Sequence, residues 1–190
     1  MFEALAVSSS VVFLGEMGDK TQLLALLLAA RYRRPAPILL GILVATLANH
    51  AAAAALGEGL THWFAPGTLR WLLGTSFIAV AIWVLVPDKP DDGLSASAGR
   101  WGVFGVTLVA FFLAEMGDKT QIAAVMLAAR YQSLLVVTAG TTLGLMLANL
   151  PAVLFGERLL RLVPLAWVHR LAALVFAGLG VLVLMGQGWP

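Results

Sequence analysis

The sequence predicts an all-α integral membrane protein: six transmembrane helices built as two inverted three-helix repeats. Three observations carry this. First, of 190 residues 61% are hydrophobic and only 12% charged, with a mean hydropathy of +0.93, whereas soluble proteins carry about 25% charged residues. Second, the apolar residues fall into runs long enough to cross a hydrocarbon core of roughly 30 Å at about 1.5 Å per helical residue. Third, Glu16-Met17-Gly18-Asp19-Lys20-Thr21-Gln22 recurs letter for letter as Glu115-Met116-Gly117-Asp118-Lys119-Thr120-Gln121, 99 residues later.

In chain order, residues 4–30 form the first span. A cleaved signal peptide would need basic residues ahead of a shorter apolar core, but the first basic residue is Lys20, in the middle of the run, so the segment reads as a permanent span. Arg31-Tyr32-Arg33-Arg34-Pro35 closes it with positive charge and a helix breaker. Residues 37–57 make the second span, with Asn49 and His50 among alanines; Gly57-Glu58-Gly59, His62 and Pro66-Gly67 read as the following turn, and residues 69–86 as the third span. The second half repeats the plan with spans at 101–129, 134–155 and 169–187, a turn at Arg130-Tyr131-Gln132-Ser133 and a loop from Gly156 to Val168. The match extends beyond the motif, since Ala29-Ala30-Arg31-Tyr32 pairs with Ala128-Ala129-Arg130-Tyr131, Leu47-Ala48-Asn49 with Leu147-Ala148-Asn149, and Gly57-Glu58 with Gly156-Glu157. The domain boundaries are therefore 1–87 for the first repeat, 88–100 for a Pro/Gly/Ser-rich linker, and 101–190 for the second repeat.

An odd number of spans per half inverts the second copy relative to the first, an arrangement that recurs in secondary transporters with a site near the bilayer midplane. Arg31, Arg33, Arg34, Lys89, Arg100, Arg158, Arg161 and Arg170 fall on one side and only Arg70 and Arg130 on the other. By the positive-inside rule the linker is cytoplasmic and both termini are outside. The same distribution explains the pI near 9.4 as topology, not as nucleic-acid binding. With no cysteine in the chain, disulfides, thiolate metal sites and cysteine nucleophiles are excluded.

Glu16 and Glu115 each lie fifteen residues before Arg31 and Arg130, which is about 22 Å along a helix, with Asp19 and Asp118 about 18 Å from the same ends. Both motifs thus fall near the membrane centre. On a continuous helix Glu, Asp and Lys at i, i+3 and i+4 project from one side. Gly18 and Gly117 permit either close helix approach or a local break. Four carboxylates and the two ammonium groups of Lys20 and Lys119 leave a formal charge of −2, which a divalent cation neutralises. Thr21, Gln22, Thr120 and Gln121 add oxygen ligands, and hard oxygen donors suit manganese, calcium or magnesium. Asn49 and Asn149 are supporting candidates, as ligands or as hydrogen-bond glue between helices. His50, His62 and His169 are single and dispersed, so imidazole is not an obvious ligand class. Ser8-Ser9-Ser10 and Thr141-Thr142 read as packing or backbone-bonded groups, and the Met and Trp residues as lipid-facing or interfacial.

Two other classes compete. An intramembrane carboxylate enzyme would use paired carboxylates as acid and base, but the Gly-x-Gly-Asp signature of intramembrane aspartyl proteases fails, because Glu16 and Glu115 stand two residues before Gly18 and Gly117. A non-transporting membrane scaffold would use each Glu–Lys pair only to lock helices. That reading leaves six duplicated charges unexplained, at an insertion cost of roughly 2.5–3.5 kcal/mol each.

Two copies of E-x-G-D-[KR]-[ST], each in the first span of a three-span repeat with an acidic linker, resemble the Gdt-type, transmembrane protein 165-like family, formerly uncharacterised protein family 0016. The resemblance covers essentially the whole chain. It implies a cation/proton antiporter, not an enzyme, for Mn²⁺ or Ca²⁺, with bacterial members associated with manganese export. It implies no cofactor, only the transported ion and H⁺ as counter-ion. Glu16, Asp19, Glu115 and Asp118 are the implied metal-site residues, with Lys20, Thr21, Lys119 and Thr120 completing the motif. The divalent ion and the lipid bilayer are the implied partners, and a homodimer is a compatible assembly. Without the N-terminal extension of organelle-targeted members, the implied location is a prokaryotic inner membrane.

Overall fold

The alanine- and leucine-rich runs all become helix. The computed structural model describes residues 1–86, 102–156 and 165–186, and among them there are no strands. The elements are α1 (Phe2–Glu16), α2 (Lys20–Tyr32), α3 (Pro35–Trp63), α4 (Pro66–Val84), α5 (Gly102–Glu115), α6 (Lys119–Tyr131), α7 (Leu134–Phe155) and α8 (Leu165–Leu184). Among the described residues four helices are long and apolar enough to cross a membrane: α3, α4, α7, and Ala166–Leu184 of α8. Leu27, Ile82 and Leu174 are more than half exposed, the outward apolar surface a lipid-facing helix presents.

Two expectations need correcting. Residues 4–30 and 101–129 are not continuous spans: each is two helices, parted between Glu16 and Lys20 and between Glu115 and Lys119. Gly57-Glu58-Gly59 and His62 form no turn either; α3 continues through them to Trp63. The reason for Gly57 is contact, since a Cβ there would lie 2.1 Å from the carbonyl oxygen of Val125 on α6. Its counterpart Gly156 does end its helix, α7, at φ 69°. Pro66 opens α4, and Pro35 opens α3, as the missing N–H and fixed φ of proline favour. The expected linker at 88–100 and most of the loop from Gly156 to Val168 lie outside the described residues.

Packing repeats with the motif's own offset. A Cβ on Gly41 of α3 would meet Thr107 Cβ at 2.8 Å and the Phe104 carbonyl at 3.0 Å on α5, while one on Gly140 of α7 would meet Ser8 Cβ at 2.8 Å and the Leu5 carbonyl at 2.9 Å on α1. The residues of the two crossings correspond at an offset of 99, Gly41 with Gly140, Ser8 with Thr107 and Leu5 with Phe104. Small residues at such crossings let helices approach where lipid removes the hydrophobic drive for association. α4 and α8 pack on each other through Gly74 and Gly180 and through the Phe77–Phe176 ring pair, centroids 6.3 Å apart.

Two apolar clusters result. One draws mainly on α1, α4, α6 and α8, including Val11, Phe77, Leu127 and Phe176. The other draws mainly on α2, α3, α5 and α7, including Leu24, Ile42, Phe111 and Leu145. The chain passes from one cluster to the other at each helix break, which is where the charged motifs lie.

Candidate metal centre

Each motif is the break itself. After Glu16 ends α1, Met17 is extended at φ −65° and ψ 118°, Gly18 takes φ 81°, and Asp19 stands at the N-cap of α2 with φ −78° and ψ 167°. The second copy matches, with Gly117 at φ 79° and Asp118 at φ −75° and ψ 163°. Glycine is required at Gly18 and Gly117 because a side chain is strained at such positive φ. The expected single helical face carrying Glu, Asp and Lys therefore does not form. Instead the helix ends leave backbone groups unpaired, and the motif satisfies some itself. The Gly18 N–H donates to Gln22 Oε1 at 2.9 Å and the Gly117 N–H to Gln121 Oε1 at 2.6 Å. The two glutamines act as caps for the break. Gln22 also donates through Nε2 to the Ala148 carbonyl of α7 at 2.7 Å.

The lysines pair between motifs, not within them. Lys119 Nζ donates to Asp19 Oδ1, and Lys20 Nζ lies 3.5 Å from Asp118 Oδ1. The two bridges differ in surroundings: the Lys119 and Asp19 side chains are 3% and 0% exposed, whereas Lys20 is 23% exposed against 2% for Asp118. Glu16 and Glu115 are fully buried. Thr21 Oγ1 donates to Glu16 Oε2 at 2.6 Å; Thr120 Oγ1 lies 3.3 Å from Glu115 Oε2 and 3.4 Å from Asp118 Oδ2, sharing one proton between them.

One oxygen each from Glu16, Asp19 and Asp118 lies within 4.8 Å of the others, close enough to hold one ion; among the described residues no histidine joins this group, and neither does Glu115. Oε1 of both Glu16 and Glu115 is buried without a hydrogen-bond partner. A buried carboxylate oxygen in that condition is costly unless a proton or cation meets it. The two asparagines also part company. Asn49 Nδ2 donates to the Phe112 carbonyl in the last turn of α5 at 2.9 Å, whereas Asn149 Nδ2 donates to Leu145 in its own helix at 3.1 Å and leaves Oδ1 buried and unpartnered. Thr141 is backbone-bonded as expected, at 2.8 Å from the Val137 carbonyl. His169 was passed over in the sequence, yet its Nε2 lies 2.9 Å from the Met17 carbonyl at the first break. No local signal reveals this, because the partners are 152 residues apart.

A family profile described as "Divalent cation/proton antiporter GDT1" matches residues 4–92 and 103–188. The chain belongs to the GDT1 family. It is 48% identical over 177 residues to a Vibrio cholerae protein named "Putative manganese exporter", covering 93% of this chain and 88% of that one. It is 26% identical to "GDT1-like protein 3" of Oryza sativa subsp. japonica, across 95% of this chain and 73% of the relative, and 26% identical to "GDT1-like protein sll0615" of Synechocystis, across 83% and 84%. No solved structure matches. GDT1 proteins are transporters of divalent cations and protons, not a family of enzymes, and with its long apolar helices this member is a multi-pass membrane protein.

Proposed function

We propose that this GDT1 member exports a divalent metal cation, manganese foremost and calcium second, in exchange for protons, by alternating access around Glu16, Asp19, Glu115 and Asp118. The observation that carries the reading is the buried, cross-paired charge cluster: each Asp is bridged to the Lys of the other motif, and three carboxylates converge within 4.8 Å. Such a cluster ties the two halves together through the same groups that would bind the ion, so occupancy and helix arrangement are coupled. Manganese is placed first on the name of the Vibrio cholerae relative; the all-oxygen donor set suits either ion.

In this reading α1 with α2, and α5 with α6, each make one discontinuous crossing, so that α3, α4, α7 and α8 bring the total to six. The halves 1–87 and 101–190 are then inverted repeats, joined at 88–100. Discontinuous helices at a repeat interface are the usual construction of a midplane ion site in transporters. The excess of basic residues on one side supports a cytoplasmic linker with both termini outside, in a bacterial inner membrane. The ion enters from the cytoplasm, displaces protons from the carboxylates, and leaves outward as protons return. Metal and proton compete for the same oxygens. A net charge of −2 on the cluster favours exchange of about two protons per divalent ion, since either occupant leaves it near neutral.

The test is metal-driven proton movement in liposomes holding purified protein and a lumenal pH dye, with Mn²⁺ or Ca²⁺ added outside. A pH change that disappears in a Glu16→Gln, Glu115→Gln double variant supports exchange at the motifs. Metal entry without a pH change would sink the exchange, and wild-type behaviour of the double variant would remove these carboxylates from the site.

A further inference from the structure

Among the described residues, a side chain from another helix bonds the Met17 carbonyl at the first break, and none bonds the Met116 carbonyl at the second. Met17 is the residue at which the chain leaves α1, and its carbonyl follows the last helical turn, so no partner within α1 awaits it. His169, in the second turn of α8, meets that carbonyl at 2.9 Å while half-buried. A carbonyl only accepts, so Nε2 carries the hydrogen and donates, in either the neutral Nε2–H tautomer or the imidazolium.

The second motif shows the contrast. The offset of 99 or 100 residues places Arg70 or Leu69 of α4 where His169 stands, and neither bonds to Met116. Met116 is 56% exposed and Gly117 is exposed, whereas Met17 and Gly18 are partly covered. The second break is held elsewhere, through Asn49 on the Phe112 carbonyl one turn before it.

The consequence falls on metal geometry. Met17 lies between Glu16 and Asp19, and these two supply two of the three converging carboxylates; Asp118 supplies the third. The orientation of the Met17–Gly18 peptide bears on the distance between the first two, because it is the middle one of the three peptides that separate the end of α1 at Glu16 from the N-cap of α2 at Asp19. We propose that His169 is a positioning residue for the metal site: by holding the Met17 carbonyl from α8, it fixes the spacing of Glu16 and Asp19 for a divalent cation. This rests on the function proposed above. It gives α8, which otherwise packs mainly on α4, a direct hold on ion affinity.

The experiment uses the full chain in liposomes and in detergent, with Mn²⁺ as probe. His169→Leu removes the donor, and His169→Gln keeps an N–H of similar reach. In H169L the KM for Mn²⁺ is expected to rise about five-fold, the factor matching a lost hydrogen bond of about 1 kcal/mol, with kcat unchanged. The Mn²⁺ concentration needed to reach a given thermal stabilisation should rise by the same factor, a readout that needs no transport. H169Q should stay near wild type in both. If H169L does not fold, His169→Met supplies the donor-free variant. Wild-type KM in the donor-free variant overturns the inference, as does an equal rise in H169Q, which would mean the ring only fills space. If the wild-type protein itself neither transports nor is stabilised by Mn²⁺, the function proposed above has failed instead.

Discussion

Replacing Lys119 with methionine should destabilise the protein more than the same change at Lys20, although the two occupy equivalent places in identical motifs. The Lys119–Asp19 pair has side chains 3% and 0% exposed, so Lys119→Met strands a carboxylate out of water. Removing one partner of a buried pair costs about 3–5 kcal/mol. Lys20 is 23% exposed and 3.5 Å from an Asp118 that is 2% exposed, so water reaches only the lysine end and the loss should cost less, about 1–3 kcal/mol. For a chain of this size about 2–4 °C of melting temperature accompanies each kcal/mol. The expected falls are therefore about 6–20 °C for K119M and about 2–12 °C for K20M. The assay is thermal unfolding of purified protein in detergent, without divalent ions. Adding Asp19→Asn to K119M should recover part of the loss, because the stranded charge is gone. Equal falls in the two single variants, or a larger one for Lys20, would refute the argument from burial.

Three further outcomes can be checked on the same preparation. Asn49→Ala should lower stability by about 0.5–1.5 kcal/mol, since it breaks a bond between helices, while Asn149→Ala should have a smaller effect, its bond lying within one helix; matching losses would contradict this. Gly57→Ala should impair folding because its Cβ would press on the Val125 carbonyl, whereas Gly59→Ala, with open space around it, should be neutral or slightly stabilising; yield and melting temperature distinguish them. Bound Mn²⁺ should raise stability by about 2.7 kcal/mol at a hundred times its dissociation constant, and the concentration needed should rise as the pH falls from about 8 to about 6, because protons compete for the carboxylates. Metal stabilisation that ignores pH would count against shared oxygens.

The membrane class and the internal duplication are legible in the sequence alone. Apolar run lengths and a low charged fraction are properties of composition, and a repeated seven-residue motif needs no structure to be seen. Glu16, Asp19, Glu115 and Asp118, the carboxylates proposed to hold the ion, stand out in the sequence because intramembrane carboxylates are too costly to be incidental. Helix ends at Arg33 and Gln132, and the start of α3 at Pro35, also follow from local residues. The break in each first span was only half legible, since Gly18 and Gly117 permit a break or a close approach and periodicity does not choose between them.

The tertiary structure decided which groups meet. A local pattern of Glu and Lys at i and i+4 favours pairing within a motif, and only the juxtaposition of two broken helices turned each lysine toward the opposite aspartate. It also separates residues that the repeat makes equivalent: Asn49 from Asn149, Gly57 from Gly156, and Glu16 from Glu115 in the converging group. Identical segments share local preferences, but each lies in a different packing environment. Burial, partner and exposure are set by the helices that surround a residue, and for His169 that neighbour is a carbonyl 152 residues away.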